Sequence, residues 1–174
     1  NVAAGLVSAY RALFPTARIA VWARDRHKAE AFANTHQALV AADLESAARA
    51  ADVIACATMT RDPILRGAWL RRGTHVDLIG AFRGDMREAD DEALTRARLF
   101  VDSRETTLDH IGELKDPLER GVIAREDVVA DFYDLAAFTR APDDITLFKN
   151  GGGAHLDLMV SRHILERWRD AQFE

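Results

Sequence analysis

Apolar side chains recur at three- and four-residue intervals over the first fourteen positions, with Leu6, Val7, Tyr10, Leu13 and Phe14 on one face. That period predicts a helix over 3–14, which Pro15 ends. The pattern then changes. Residues 18–23 (RIAVWA) have the compactness of a strand, and a helix over 25–34 follows with Ala29, Phe32 and Ala33 turned inward. A short strand at 38–41 leads to a helix at 43–49 capped by Asp43. Residues 52–57 (DVIACA) are almost continuously apolar, as in a strand covered on both faces. A short helix over 63–72 separates it from a strand at 75–79 (HVDLI), which runs into Gly80. Beyond lie a helix at 88–97, a strand at 99–102, helices around 107–114 and 127–138, and a strand at 145–149 (ITLFK). The last element is a long amphipathic helix over 154–173, striped by Leu156, Met159, Val160, Ile164 and Trp168.

Strands separated by single helices read as βαβ crossovers, so the pattern predicts one α/β domain with a doubly wound, mostly parallel sheet. The length of 174 residues suits one domain, and no repeat or Pro/Gly/Ser-rich linker divides it. Charge narrows the partners. Acidic residues outnumber basic ones by 28 to 23, which argues against nucleic acid or an anionic membrane. Cys56 is the single cysteine, so neither an intrachain disulfide nor a cysteine zinc site can form. Such usage suits a reducing compartment, and the expected location is cytoplasmic. No apolar stretch approaches the roughly 18 residues of a membrane span, and no His/Asp/Glu spacing resembles a metal site.

Sheets of this kind bind ligands beyond the carboxyl ends of their strands. In a Rossmann-like NAD(P)-binding domain the first strand ends in a Gly-rich turn that feeds the first helix. Here the helix is present, and the strand and turn are expected upstream. With Gly-x-Gly ahead of it, the run Asn1, Val2, Ala3 completes G-x-G-x-x-A. The distance to Ala23–Arg24 then matches the roughly 20 residues to the ribose-reading position. An opening helix of an unrelated α/β protein accounts for the same residues. An NAD site places Asp or Glu at that position, whereas this chain has Arg24, Arg26 and Lys28 around Asp25. Guanidinium groups bind a 2′-phosphate that a carboxylate would repel, so the cluster favours NADPH, with NADH possible. A solvated helix start capped by Asp25 explains it too. Thr58, Met59 and Thr60 after one strand, and Ile79, Gly80 and Ala81 after the next, fall where ribose and nicotinamide would lie, although turn chemistry alone explains Gly80. Gly151–Gly153 before a helix also reads as an anion loop. Among the remaining residues, His27 and His36 are expected to face solvent, and His75 and His163 to be structural. The acidic run 88–92 is expected to be a solvated helix face, and Cys56 a buried strand residue.

The run His75-Val76-Asp77-Leu78-Ile79-Gly80-Ala81-Phe82 through Asp90 resembles the signature of the ornithine cyclodeaminase/mu-crystallin family. So do Phe100-Val101-Asp102, the segment Gly112-Glu113-Leu114…Pro117-Leu118…Gly121-Val122-Ile123, and Phe148-Lys149-Asn150-Gly151-Gly152-Gly153-Ala154…Asp157. As an ordered set these landmarks span nearly the whole chain. Within the family the resemblance is nearest to the cyclic-imine reductases, which convert Δ1-pyrroline-2-carboxylate and Δ1-piperideine-2-carboxylate to proline and pipecolate with NAD(P)H. It implies an oxidoreductase acting on C=N bonds of a small cyclic imino acid.

Cyclodeaminases of the family carry an acid/base aspartate after the Gly-Ala pair; this chain has Phe82. A phenyl ring cannot exchange protons, which disfavours the cyclodeaminase reaction, while a flat apolar wall serves a reductase. Ordinary packing is the plainer role for Phe82. Lys149 and Asn150 stand at the family's Lys-Ser pair, with Asn150 in place of serine and Gly151 in place of an apolar residue. The resemblance puts Asn150 at cofactor and substrate, the glycine run on the nicotinamide side, and His110 near the substrate mouth. It also implies an upstream segment holding the substrate pocket, the catalytic groups and a homodimer interface. Residues 1–174 are thus expected to be the NAD(P)-binding domain, with its C-terminal helix, of a longer protein, and inactive alone. Two other readings stand beside this one: ornithine cyclodeaminase, and a non-catalytic mu-crystallin-like NADPH binder.

Overall fold

Short aliphatic runs satisfy their backbones only by pairing, and in this chain all of them pair in parallel. The computed structural model describes residues 2–171. Helix α1 (Val2–Leu13) opens it, followed by β1 (Ala20–Val21), α2 (Arg26–His36), β2 (Leu39–Val40), α3 (Leu44–Ala50), β3 (Val53–Cys56) and β4 (His75–Leu78). Then come α4 (Asp91–Arg96), β5 (Arg98–Val101), α5 (Arg104–Thr107), α6 (Gly112–Glu119), β6 (Val128–Ala130), β7 (Thr146–Lys149) and α7 (Ala154–Asp170). Five strands form one sheet in the order β3-β4-β7-β5-β6, and β1 pairs with β2 in a separate two-stranded sheet. Every pairing is parallel. This is the expected parallel α/β architecture.

Val76, Leu78, Val101 and Leu147 are fully buried at the centre of the larger sheet, and Leu94 of α4 and Leu114 of α6 join the same core. Helix α1 ties the larger sheet to α2: the Tyr10 hydroxyl donates to Asp77 of β4 at 3.1 Å, and Arg11 donates to the carbonyl of Gln37, which ends α2, at 2.8 Å. Gln37 ends α2 in the left-handed conformation, with its N–H returned to the Ala33 carbonyl. The outer edge of β3 carries no strand among the described residues, and Ala55 within it is exposed. Its apolar run is therefore less covered than its composition implies.

Several expected elements change form, each for a local reason. The helix expected at 127–138 is instead β6 plus a 3-10 turn at Leu135–Ala137. Val128 and Ala130 pair with Leu99 and Phe100 of β5, and Phe132 and Phe138 fall on different sides of any helix at their six-residue spacing. Here they stack instead on Phe148 at 5.4 Å and Phe100 at 4.9 Å. The helix expected at 63–72 shrinks to a 3-10 turn at Gly67–Trp69, because Gly67 packs on the start of α4, where a Cβ would meet Ala93 N at 2.3 Å. The helix expected at 107–114 divides into α5 and α6, and Gly112 donates across to the Arg83 carbonyl at 2.9 Å.

The acidic run is not a solvated face. Glu88 is 0% exposed, Ala89 bridges Leu65, and Asp90 caps α4. His36 lies half-buried against Phe32 rather than in solvent, and His163 is exposed on α7 rather than structural. His75, as expected, is structural: half-buried and bonded to Thr146 at 2.8 Å. Cys56 is buried on β3. Helix α7 buries none of its residues, and Met159, Ile164 and Trp168 stay exposed.

Candidate functional site

Register places three loops side by side. Cys56 is level with Leu78, and Leu78 with Lys149, so the segments after β3, β4 and β7 leave adjacent strands at one height. They carry Thr58–Thr60, Ile79–Phe82 and Asn150–Gly153. Ile79 and Asn150 extend the pairing, donating to the Cys56 and Leu78 carbonyls at 2.9 and 3.0 Å.

A buried carboxylate joins the first two loops. Glu88 accepts the N–H and hydroxyl of Thr58 on Oε1 at 2.6 and 2.7 Å. On Oε2 it accepts the N–H groups of Gly80 and Ala81 at 2.7 and 3.2 Å. The loops touch backbone to backbone here: a Cβ on Gly80 would lie 2.0 Å from the Thr58 carbonyl oxygen. Glu113 supports Glu88 from behind, accepting the N–H groups of Glu88 and Ala89 at 2.8 and 2.9 Å. Burial pushes the Glu113 carboxyl up to about 7. Lys149, also 0% exposed, donates to the Leu78 and Ala81 carbonyls at 3.1 and 2.6 Å. Burial lowers its pKa, while Glu113, Glu88, Asp102 and Asp77 oppose that shift.

A second buried carboxylate shapes the glycine run. Asp102, at the end of β5, accepts the Thr107 hydroxyl at 2.8 Å and the N–H groups of Gly151 and Gly152 at 2.9 Å each. Those two amides are committed to an internal anion, which removes them as donors for a phosphate. Gly152 also donates to Asn150 Oδ1, a local turn that leaves the Asn150 NH2 group for a ligand. His155, early in α7, places Nε2 3.6 Å from Asp102 Oδ2. Periodicity singles out none of Glu88, Asp102, Glu113 or His155; the legible trace is an acid directly after an apolar strand, as in Val101-Asp102.

The expected contacts divide into two groups. Met59 and Phe82 are 70% and 52% exposed on the strand-end surface, and the Arg83 guanidinium sits 5.4 Å from the Phe82 ring centroid. Thr60 is buried and its hydroxyl donates to the Asp62 carbonyl at 2.7 Å. His110 is exposed on the α5–α6 loop, and Gly112 at the start of α6 donates to the Arg83 carbonyl just after Phe82. The second group lies after β1. Asp25 caps α2, accepting from His27 and Lys28 N–H groups. Arg26 pairs with Glu30 at 2.9 Å in solvent, a contact worth little. Arg24 is exposed and has no ion-pair partner among the described residues, and Lys28 is exposed too. Val2 is exposed and Ala3 half-buried in the first turn of α1, while Asn1 lies outside the described residues.

A dinucleotide fits this division. Exposed cations suit a phosphate at one end, and small residues and an amide suit an uncharged ring at the other. No cluster of His, Cys, Asp or Glu among the described residues could hold a metal ion, and no helix among them is long and apolar enough to cross a membrane.

The model of the ornithine cyclodeaminase/mu-crystallin family matches residues 2–172. A Δ1-pyrroline-2-carboxylate reductase of Paracoccus denitrificans is 52% identical over 174 residues, covering 94% of this chain and 55% of that protein. The structure of Thermococcus litoralis Δ1-pyrroline-2-carboxylate reductase in complex with NADH and L-proline superposes with a TM-score of 0.79 at 26% identity, over 86% of this chain and 50% of that one. An archaeal alanine dehydrogenase dimer with bound NAD gives 0.85 at 26% identity, over 98% and 55%. The chain spans about half the length of the relatives it matches.

Proposed function

Because the chain belongs to the ornithine cyclodeaminase/mu-crystallin family, and its parallel sheet has the Rossmann-like NAD(P)-binding fold, we propose that it is the dinucleotide-binding domain of an NAD(P)H-dependent reductase of cyclic imino acids. Its substrates would be Δ1-pyrroline-2-carboxylate or Δ1-piperideine-2-carboxylate, reduced to proline or pipecolate. The observation that carries this reading is Phe82. It stands half-exposed directly after Gly80-Ala81, on the surface where β3, β4 and β7 end together.

Each residue has a defined task. Arg24 meets a 2′-phosphate, with Arg26 and Lys28 adding positive potential, which makes NADPH the preferred cofactor. Asp25 holds the N-terminus of α2 in place beneath them. Val2 and Ala3 line the start of α1 where the pyrophosphate would pass, and Asn1 is assigned to the same contact from the sequence alone. Thr58, Met59, Ile79 and Gly80 frame the ring end, with Thr60 and Ala81 buried beneath them, and the Asn150 amide donates to the carboxamide, the ribose or the substrate. When bound, the reduced nicotinamide supplies a hydride. Phe82 offers a flat wall that excludes water beside the reacting carbon and has no proton to exchange. His110 borders the mouth through which the imino acid enters. The substrate-carboxylate clamp and the proton donor belong to the remainder of the protein, and the complete molecule is proposed to be a cytoplasmic homodimer.

The test is NADPH consumption by the complete protein supplied with Δ1-pyrroline-2-carboxylate. Imine-dependent oxidation of NADPH, with no ammonia released from ornithine, is the expected result. Ammonia release without a reductant would assign the cyclodeaminase reaction instead, and NADPH binding without turnover would assign a non-catalytic binder.

A further inference from the structure

Glu88 spends its whole hydrogen-bonding capacity on the two loops that border the ring end of the site. Its carboxylate accepts three peptide N–H groups and one hydroxyl, and its own N–H is held by Glu113. Its carbonyl accepts from Ile64 and Leu65. A fully buried carboxylate is costly unless every lone pair finds a donor, and here the donors come from segments 22 or more residues apart in sequence. The loops after β3 and β4 are therefore joined through this one side chain as well as through the strand ladder.

Two consequences follow for a ligand. The peptide donors at 58, 80 and 81 face an internal anion, so they are not free to receive a phosphate. The spacing of the loops is also set by the carboxylate, because both of its oxygens are in use. We propose that Glu88 is a positioning residue for the dinucleotide: it clamps the Thr58 and Gly80–Ala81 loops against each other and so fixes the strand-end surface on which the ring end of the cofactor lies. Thr58 acts as its partner in this role, using its hydroxyl inward. The inference rests on the dinucleotide reading given above and adds a residue and a task to it.

The experiment compares Glu88→Gln, Thr58→Val and Thr58→Ser in the complete protein, with NADPH binding followed by fluorescence titration and turnover followed separately. Glutamine can accept at one oxygen only, so it serves one loop and loses the other. Expected is a weakening of NADPH binding by about tenfold in Glu88→Gln and a smaller weakening in Thr58→Val, with Thr58→Ser close to wild type. Combining Glu88→Gln with Thr58→Val should cost less than the product of the two single effects, since they remove one shared contact. A purely structural role would lower the melting temperature and leave NADPH affinity unchanged in the folded fraction, and that result would overturn the proposal. Should Glu88→Gln fail to fold, the Thr58 pair decides it, since the hydroxyl is lost in one variant and kept in the other. Wild-type protein that binds no NADPH would remove the underlying reading itself, an outcome distinct from normal binding in every variant.

Discussion

The ends of β3, β4 and β7 and the loop after β1 are both strand-end surfaces of the same chain, yet they are built in opposite ways. At the first, polar groups point inward: Glu88, Asp102, Glu113 and Lys149 are each 0% exposed and tie the loops to one another. At the second, Arg24 and Lys28 stand in solvent, and Arg26 holds only a surface pair with Glu30. The difference teaches where shape has to precede the ligand. A planar ring is recognised by the outline of a cavity and needs a surface that is already fixed, whereas a phosphate is recognised by charge, which flexible side chains supply on arrival. Mutations at the first surface should therefore act on folding as well as on affinity, and mutations at the second on affinity alone.

Gly80→Ala is the most severe way to break the strand-end surface. Its methyl group would sit 2.0 Å from a backbone oxygen and displace the Glu88 bonds as well. A loss of more than about 4 kcal/mol, or failure to yield folded protein, is expected on denaturant titration of the complete protein. A change under about 1 kcal/mol would mean that the two loops are not held together as described.

Asp102→Ala comes next. It strands the buried Thr107 hydroxyl and takes the acceptor from the part-buried bonds of the Gly151 and Gly152 amides, and a loss of about 3 kcal/mol should appear in the same titration. No loss would show that the glycine run needs no internal anion.

Glu113 sharpens the contrast through pH. Burial raises its pKa to about 7, so the folded state keeps a proton that the unfolded chain has already released. Its contribution is full below the ordinary carboxyl range and declines as pH rises to about 7. Wild type should thus lose stability relative to Glu113→Gln between pH 5 and pH 8, measured as the gap in melting temperature. A gap independent of pH would contradict the raised value.

Arg24→Asp has the smallest effect on the fold, within about 0.5 kcal/mol, because the side chain is exposed and has no ion-pair partner among the described residues. Its effect belongs to cofactor choice, where NADPH preference over NADH should fall by about tenfold or more. An unchanged ratio in paired kinetic assays would take phosphate reading away from this residue.

The alternation of strands and helices was legible because local period decides it, and β3, β4, β5 and β7 fall close to where the apolar runs stand. The segment around 127–138 was not, since Phe132 and Phe138 are ordered by Phe148 and Phe100, partners distant in sequence. Glu88 was illegible for the same reason. Within its own stretch it is one acid among several, and only the arrival of Thr58 and Glu113 from elsewhere makes burial tolerable. The exposure of Arg24 could be read from its position just beyond a strand, whereas the carboxylates that organise the loops required the tertiary fold.

The most direct measurement is a crystal structure of the complete protein with NADPH. The account places the nicotinamide against Gly80–Phe82 and Asn150 and the 2′-phosphate at Arg24, with the Glu88 bonds to Thr58 and Gly80 intact. A cofactor bound with its phosphates on the Gly151–Gly153 run, or with its ring away from Phe82, would contradict it.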